Sequence, residues 1–276
     1  MTPVFEWKQS DFDKLIANCP DEPVTPFIRK YFPPGARLLE AGCGSGRFVH
    51  WLDARGYDIE GLEIGAETVA TLHRVFPHLK IREGDVRALP YAENTFDGVL
   101  SLGVIEHVIE GLAGPIREMH RVLKPGGVAL VIVPSFNLVR RIKYPTGIYH
   151  LHALLGYGKR WNPVRRLFGK PPHQAARQPR PAHPPPYKRW PVFGEFFEYR
   201  LTKDEFERAL ATEGFAIVES VPTSLIDGLY HEFGRLFVRF GYFEFHPNAV
   251  GRRLNAWLAR RPFWHNHMHL CVVRKP

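Results

Sequence analysis

Between Leu38 and Val133 the chain alternates short apolar runs with longer stretches of helical period. Runs of strand length separated by room for a helix predict a parallel sheet with crossover helices. Val128-Ala129-Leu130-Val131-Ile132-Val133 is apolar at successive positions, as expected for a strand covered on both faces. The first 36 residues read as a helix or two beside the sheet, and Pro33-Pro34-Gly35 breaks the chain before the first strand. Later, Thr202-x-x-Glu205 predicts a capping box opening a helix through Ala211, and Phe215 to Val221 a strand. From Leu225 to Phe240, Leu225, Ile226, Leu229, Tyr230, Phe233, Leu236, Phe237 and Phe240 repeat at helical spacing and predict one helix.

The first strand runs directly into a glycine turn, Leu38-Leu39-Glu40-Ala41-Gly42-Cys43-Gly44-Ser45-Gly46-Arg47. Glycine suits a turn whose backbone must take positive φ or lie against a ligand. The helix that follows points its unsatisfied N–H groups into that turn. The dinucleotide pattern Gly-x-Gly-x-x-Gly is not met: the third glycine comes one residue early, and Arg47 stands where a small residue is needed. No Gly-Lys-Ser/Thr follows, so a P-loop is excluded. A carboxylate at Glu40 repels a pyrophosphate and attracts an ammonium or sulfonium, implying a zwitterion joined to a nucleoside.

On these residues the sequence resembles the seven-stranded, class I S-adenosylmethionine-dependent methyltransferases, in their small-molecule branch (methyltransferase type 11-like). Further motifs carry the likeness in family order: Tyr57 to Glu63, ending in an acid 21 residues after Gly42; Glu83-Gly84-Asp85-Val86; Asn94 to Ser101; Ile105-Glu106-His107-Val108; and Arg121 to Gly127. It resumes from Arg200 to Pro222, and His269 to Arg274 resembles the closing strand. The resemblance implies an α/β fold: a seven-stranded, mostly parallel sheet flanked by helices, with an antiparallel last strand. Two insertions would add a lid. It implies S-adenosyl-L-methionine as cofactor, with Gly42, Gly44 and Gly46 around the methionine portion and Glu40 at its ammonium. Glu63 would meet the ribose, Asp85 and Val86 the adenine, and Ser101 and Leu102 the methionine side, with Ile64 a further cofactor contact.

Composition changes the picture at one place. The net charge is +9, yet residues 135–190 hold twelve Lys/Arg and no acid, whereas 1–134 sum to −4 and 191–276 to +1. A localised cationic block points to an anionic partner. Three segments are expected: 1–134, N-terminal helices and the cofactor-binding half; 135–191, a basic, proline-rich insertion; and 192–276, the C-terminal half of the sheet with a helical insertion at about 223–264. Cys19, Cys43 and Cys271 are scattered, with neither a disulfide framework nor a metal-ligand spacing. The amino end carries Glu6, Asp11 and Asp13, and no window approaches the ~20 apolar residues of a membrane span. A cytoplasmic protein is expected, with peripheral membrane contact where basic and aromatic residues mix.

The acceptor is expected to be a small molecule or a lipid- or glycan-linked compound carrying negative charge. The alternatives are RNA, since tyrosines and tryptophans lie among the arginines of the basic segment, or a non-catalytic cofactor-binding subunit. His107 is the candidate general base, set against a capping histidine that only contacts backbone. His150, His152, Glu198 and Arg200 are candidate acceptor contacts, set against ordinary packing and surface ion pairing. RNA and quinone O-methyltransferases with a metal-assisted mechanism carry an acid three residues before the Glu-His pair. That position is Gly103 here, so no metal is expected. His265, His267 and His269 alternate; a solvated edge strand is expected there rather than a metal site. The aromatic stripe from Leu225 is expected to be the core face of a helix covering the active site.

Overall fold

The computed structural model describes residues 9–144, 185–192, 195–241 and 244–276. Two helices, α1 (Gln9–Asn18) and α2 (Thr25–Tyr31), precede strand β1 (Arg37–Ala41). Strands and helices then alternate: α3 (Arg47–Asp53), β2 (Asp58–Glu63), α4 (Ala66–Val75), β3 (Lys80–Glu83), β4 (Phe96–Leu102), α5 (Ala113–Val122) and β5 (Leu123–Pro134). The sheet continues with β8 (Ala216–Thr223) and β11 (Met268–Arg274), giving the order β3-β2-β1-β4-β5-β11-β8. Strands β1 to β5 pair in parallel, and β11 lies antiparallel between β5 and β8. The chain starts at β1 and winds outward on both sides, so a crevice opens between β1 and β4 at their carboxyl ends.

The apolar run of β5 explains the two-layer core. Ala129, Val131 and Val133 face one cluster, with Phe96, Ile116, Phe206 and Cys271; Val128 and Leu130 face the other, with Ile28, Phe48, Leu52 and Val272. Helices cover both faces, so every position of the run except Ile132, which is half-buried, is shielded from water. Helix α7 (Lys203–Thr212) starts at the expected capping box: Thr202 N–H donates to Glu205 Oε2 at 2.8 Å and Glu205 N–H returns to Thr202 Oγ1 at 3.3 Å.

Three expectations are corrected. The aromatic stripe is not one helix: α8 (Leu225–Phe233) stops at Gly234, whose φ is +70°, and strand β9 (Val238–Gly241) follows. β9 pairs with β10 (Glu244–Pro247), and α9 (Ala249–Leu258) closes the segment, so 223–264 is helix, hairpin and helix. Leu229, Val238 and Leu258 give it a small core of its own. Second, strand β6 (Lys188–Val192) pairs with β7 (Glu195–Arg200), so a hairpin spans the boundary placed at 191. Third, β11 is an interior strand, and His265 and His269 are fully buried rather than solvated. Of the basic segment, α6 (Leu138–Lys143) is described; His150, His152, Tyr149 and Tyr157 lie outside the described residues. Among the described residues no helix is long and apolar enough to cross a membrane.

Candidate functional site

β1 ends at Ala41, and after five intervening residues α3 begins at Arg47. Between them Gly42, Gly44 and Gly46 take φ of +87°, +52° and +67°. The N–H groups of Gly42 and Cys43 both donate to Leu62 O at 2.8 Å, tying the turn to the end of β2. Gly42 has no room for a side chain: a Cβ there would lie 2.5 Å from Val104 Cγ1. Gly42→Ala should therefore displace Val104 and cost about 1–3 kcal/mol in strain. Chemical denaturation measures this, and an unshifted midpoint would contradict the clash.

A cleft of about 950 Å³, open to solvent, lies over the turn. Glu63 holds its centre. Its Oε2 accepts from Gly44 N–H and its Oε1 from Gly65 N–H, both at 2.9 Å. A carboxylate has about four acceptor positions. Two backbone donors orient this one and leave capacity for a diol. Glu40 sits deeper, 3% exposed, and its Oε2 has no hydrogen-bond partner. Burial pushes its carboxyl up to about 8, against the pull of Arg47 and a backbone bond at Val49. A buried acceptor without a partner, on the wall of a cleft, is matched by a cationic donor from a ligand.

Ile64, 37% exposed, and Val86 make an apolar wall beside Asp85. Burial acts to raise the Asp85 carboxyl, but the Arg87 guanidinium, at 2.6 and 2.9 Å from Oδ2, holds it below the usual range. Leu102 borders the cleft and Ser101 does not. Adjacent strand residues face opposite sides, and Ser101 is fully buried within the sheet, which corrects the expectation of a pair. Gly46 is likewise not a wall residue; it is the left-handed residue that starts α3. Arg47, Phe48, Val104 and Val108 also line the cleft. The sequence reading assigned them no contact, although the first two follow the turn and the others flank the Glu-His pair.

Residues 39–131 match the family model described as "Methyltransferase domain". Residues 39–131 are a methyltransferase domain. Its sheet order is that of a Rossmann-like fold, and solved structures share that fold. A probable S-adenosylmethionine-dependent methyltransferase of Mycolicibacterium smegmatis is 37% identical over 101 residues, covering 37% of this chain and 39% of that protein. A demethylmenaquinone methyltransferase of Chlorobaculum parvum is 31% identical over 99 residues, 36% of this chain and 41% of that one. The chain thus spans about two fifths of the length of these curated relatives. The crystal structure of an S-adenosylmethionine-dependent methyltransferase from Mesorhizobium loti shares the fold, with a TM-score of 0.54 at 18% identity, over 93% of this chain and 99% of that one.

The Mycolicibacterium smegmatis relative is named as S-adenosylmethionine-dependent, and the residues of this cleft would fit that cofactor. The unpartnered Glu40 oxygen suits an ammonium, the oriented Glu63 carboxylate suits a ribose diol, and Ile64 with Val86 offers a purine an apolar face.

Across the cleft of the methyltransferase domain, a one-turn 3₁₀ segment carries Ile105, Glu106 and His107. His107 lines the cleft, and its Nδ1 lies 2.7 Å from Phe197 O in β7. A carbonyl only accepts, so Nδ1 bears the proton and Nε2 is the basic nitrogen. Burial lowers the imidazole pKa, outweighing the Phe197 carbonyl and Glu198. Glu106, 1% exposed, has an unpartnered Oε2, and burial holds its carboxyl well above the usual range. Glu198 and Arg200 are buried beside this turn and paired at 2.7 Å. They are not surface residues, and they are not among the cleft walls. Burial, with Arg140 nearby, brings the Arg200 pKa down to about 10.

Behind them lies a charged core that the sequence reading missed. Arg140, fully buried on α6, donates to Glu232 Oε1 of α8 and to Ser135 O, each at 2.5 Å. Its Nη2 lies 2.6 Å from His267 Nδ1. The three alternating histidines therefore do not converge: His265 meets Asn255, His267 meets Arg140, and His269 meets Ser220. Asp227, His231 and His267 do come within 4.8 Å of one another. Arg140 can only donate, however, so His267 carries its proton on the Nε2 that faces Asp227. That tautomer presents a proton where a cation would need a lone pair.

Proposed function

We propose that the protein transfers a methyl group from S-adenosylmethionine to a small-molecule or lipid- or glycan-linked acceptor. The carrying observation is the pairing of Glu63, fixed by Gly44 and Gly65, with a buried unpartnered Glu40 oxygen in one cleft. When bound, the cofactor supplies a methyl already activated by its sulfonium, so an aligned nucleophile completes the chemistry. The residues of this chain then align, desolvate and accept a proton. Val86, Leu102, Val104 and Val108 give the cleft apolar walls against which a bound ligand displaces water. Arg47, ion-paired with Glu22 at 2.5 Å, stands near the Glu40 end and fits a carboxylate.

His107 has the geometry of a general base for a hydroxyl or amine acceptor. The Phe197 carbonyl fixes its tautomer, and its neutral form prevails at neutral pH because burial lowers its pKa. His107→Ala should lower kcat by about 10²–10⁴ while leaving cofactor affinity unchanged. In the wild type, kcat/KM should rise with pH along an acid limb below 6.5 and stay level above it. A variant retaining full turnover would remove His107 from the reaction.

The quinone methyltransferases among the relatives favour an acceptor with an apolar body. The test is a screen of cell extract with deuterated donor, in which the purified protein should add a labelled methyl to a discrete metabolite. Cofactor binding without any labelled product would favour a non-catalytic subunit instead.

A further inference from the structure

The segment that leaves the sheet after Thr223 and returns at Met268 carries a surface that methyl transfer does not explain. Thr223, Met268 and Pro134 are register partners across β8, β11 and β5, so this cap rises from the carboxyl end of β5, the end where the cleft opens. Eight large apolar side chains are exposed among the described residues, and Leu236, Phe240, Val250 and Trp257 all belong to the cap. Three of them, Leu236, Val250 and Trp257, lie on or beside α9. Asn248 caps α9, and its Nδ2 donates to Leu236 O at 2.9 Å, which places Leu236 beside the first turn that carries Val250. Trp257 follows Val250 by seven residues, two helical turns on, so both project from one exposed side of α9, about 100° round the axis from buried Gly251 and Leu258.

Arginines alternate with these residues along the cap. Arg235, Arg239, Arg252, Arg253, Arg260 and Arg261 are all exposed. Between 234 and 264 the single acid is Glu244, which is occupied by His246 at 3.1 Å and Lys14 at 3.4 Å. Leu236 and Val250 cannot stack on bases, so a nucleic acid would leave half of the apolar area unused. A bilayer with anionic headgroups uses both parts, with apolar residues at the acyl boundary and arginines at the phosphates.

We propose that this cap docks the protein on an anionic lipid surface, with Leu236, Val250 and Trp257 entering the interface and the six arginines meeting headgroups. This reading does not depend on the methyl-transfer assignment.

Full-length protein would be sedimented with vesicles of phosphatidylcholine alone and with vesicles containing roughly a third phosphatidylglycerol. The anionic vesicles should bind at least about tenfold more tightly, with the difference shrinking as salt rises. The double variant Leu236→Ser/Trp257→Ser should lose about tenfold or more of that binding, and Arg252→Glu/Arg253→Glu should lose the anionic preference. Calorimetric affinity for S-adenosylhomocysteine, unchanged in both variants, verifies their fold separately. Three results would overturn the proposal: no preference for anionic vesicles, wild-type vesicle binding by the double variant, or displacement from vesicles by a generic single-stranded RNA that binds more tightly.

Discussion

Replacing Arg140 with alanine is expected to destabilise the protein by about 3–5 kcal/mol, because the change strands a buried carboxylate. Arg140 and Glu232 have side-chain exposures of 1% and 0% and lie 2.5 Å apart. Asn137 also donates to Glu232 Oε1, at 3.3 Å, and Lys143 lies 3.5 Å from Oε2, so the charge is shared among α6, α8 and their neighbours. Loss of the guanidinium removes the principal counter-charge and leaves the Ser135 carbonyl and the His267 ring without their donor. The double replacement Arg140→Met/Glu232→Leu should recover most of the loss, since an apolar pair of similar volume needs no counter-charge. Urea denaturation of the three variants measures both effects. An Arg140→Ala midpoint within error of wild type would mean that the pair is solvated.

The second large effect concerns Glu40. Its carboxyl titrates at about 8 in the folded, cofactor-free protein against an ordinary 4.5. Unfolded chains ionise it first, so the native state binds the extra proton between these values. Native stability is then fully present below about pH 4.5 and falls as pH rises through 8. At about 1.4 kcal/mol per pH unit, the loss amounts to several kcal/mol as an upper bound. Glu40→Gln removes the titration, so the variant should lose much less stability than wild type between pH 5 and pH 8.5. The same group links cofactor binding to protons. An ammonium beside Glu40 favours the ionised carboxylate, so binding near pH 7 should release close to one proton in the wild type and none through this site in the variant. Calorimetry in buffers of differing ionisation enthalpy counts that proton. Equal proton release by both proteins would contradict the role assigned to Glu40.

The parts that were legible in sequence are those whose cause is local. Gly42, Gly44 and Gly46 announced a turn of positive φ, and Glu63 stood at the end of the next strand. Thr202 and Glu205 define their helix start within four residues. The misreadings have physical causes too. The resemblance implies both Ser101 and Leu102 on the methionine side, yet a strand sends neighbours to opposite faces and only Leu102 borders the cleft. The Leu225 to Phe240 stripe keeps helical spacing past Gly234, but a residue at φ +70° ends the helix, and the later aromatics pack from a hairpin. The Arg140–Glu232 pair spans 92 residues, and no local pattern encodes a contact of that range. The alternation of His265, His267 and His269 does not reveal a buried strand, because burial of His269 comes from β11 being inserted between β5 and β8.

The central claim is that the Glu63 carboxylate, aimed by two backbone N–H groups, grips the sugar of a sulfonium nucleoside. Titration calorimetry of S-adenosylmethionine into wild type, Glu63→Ala and Glu63→Gln measures this grip directly. The alanine variant should bind more weakly by at least ~1.5 kcal/mol, about tenfold, with glutamine between it and wild type because an amide keeps one acceptor. Identical affinity in all three proteins would contradict it.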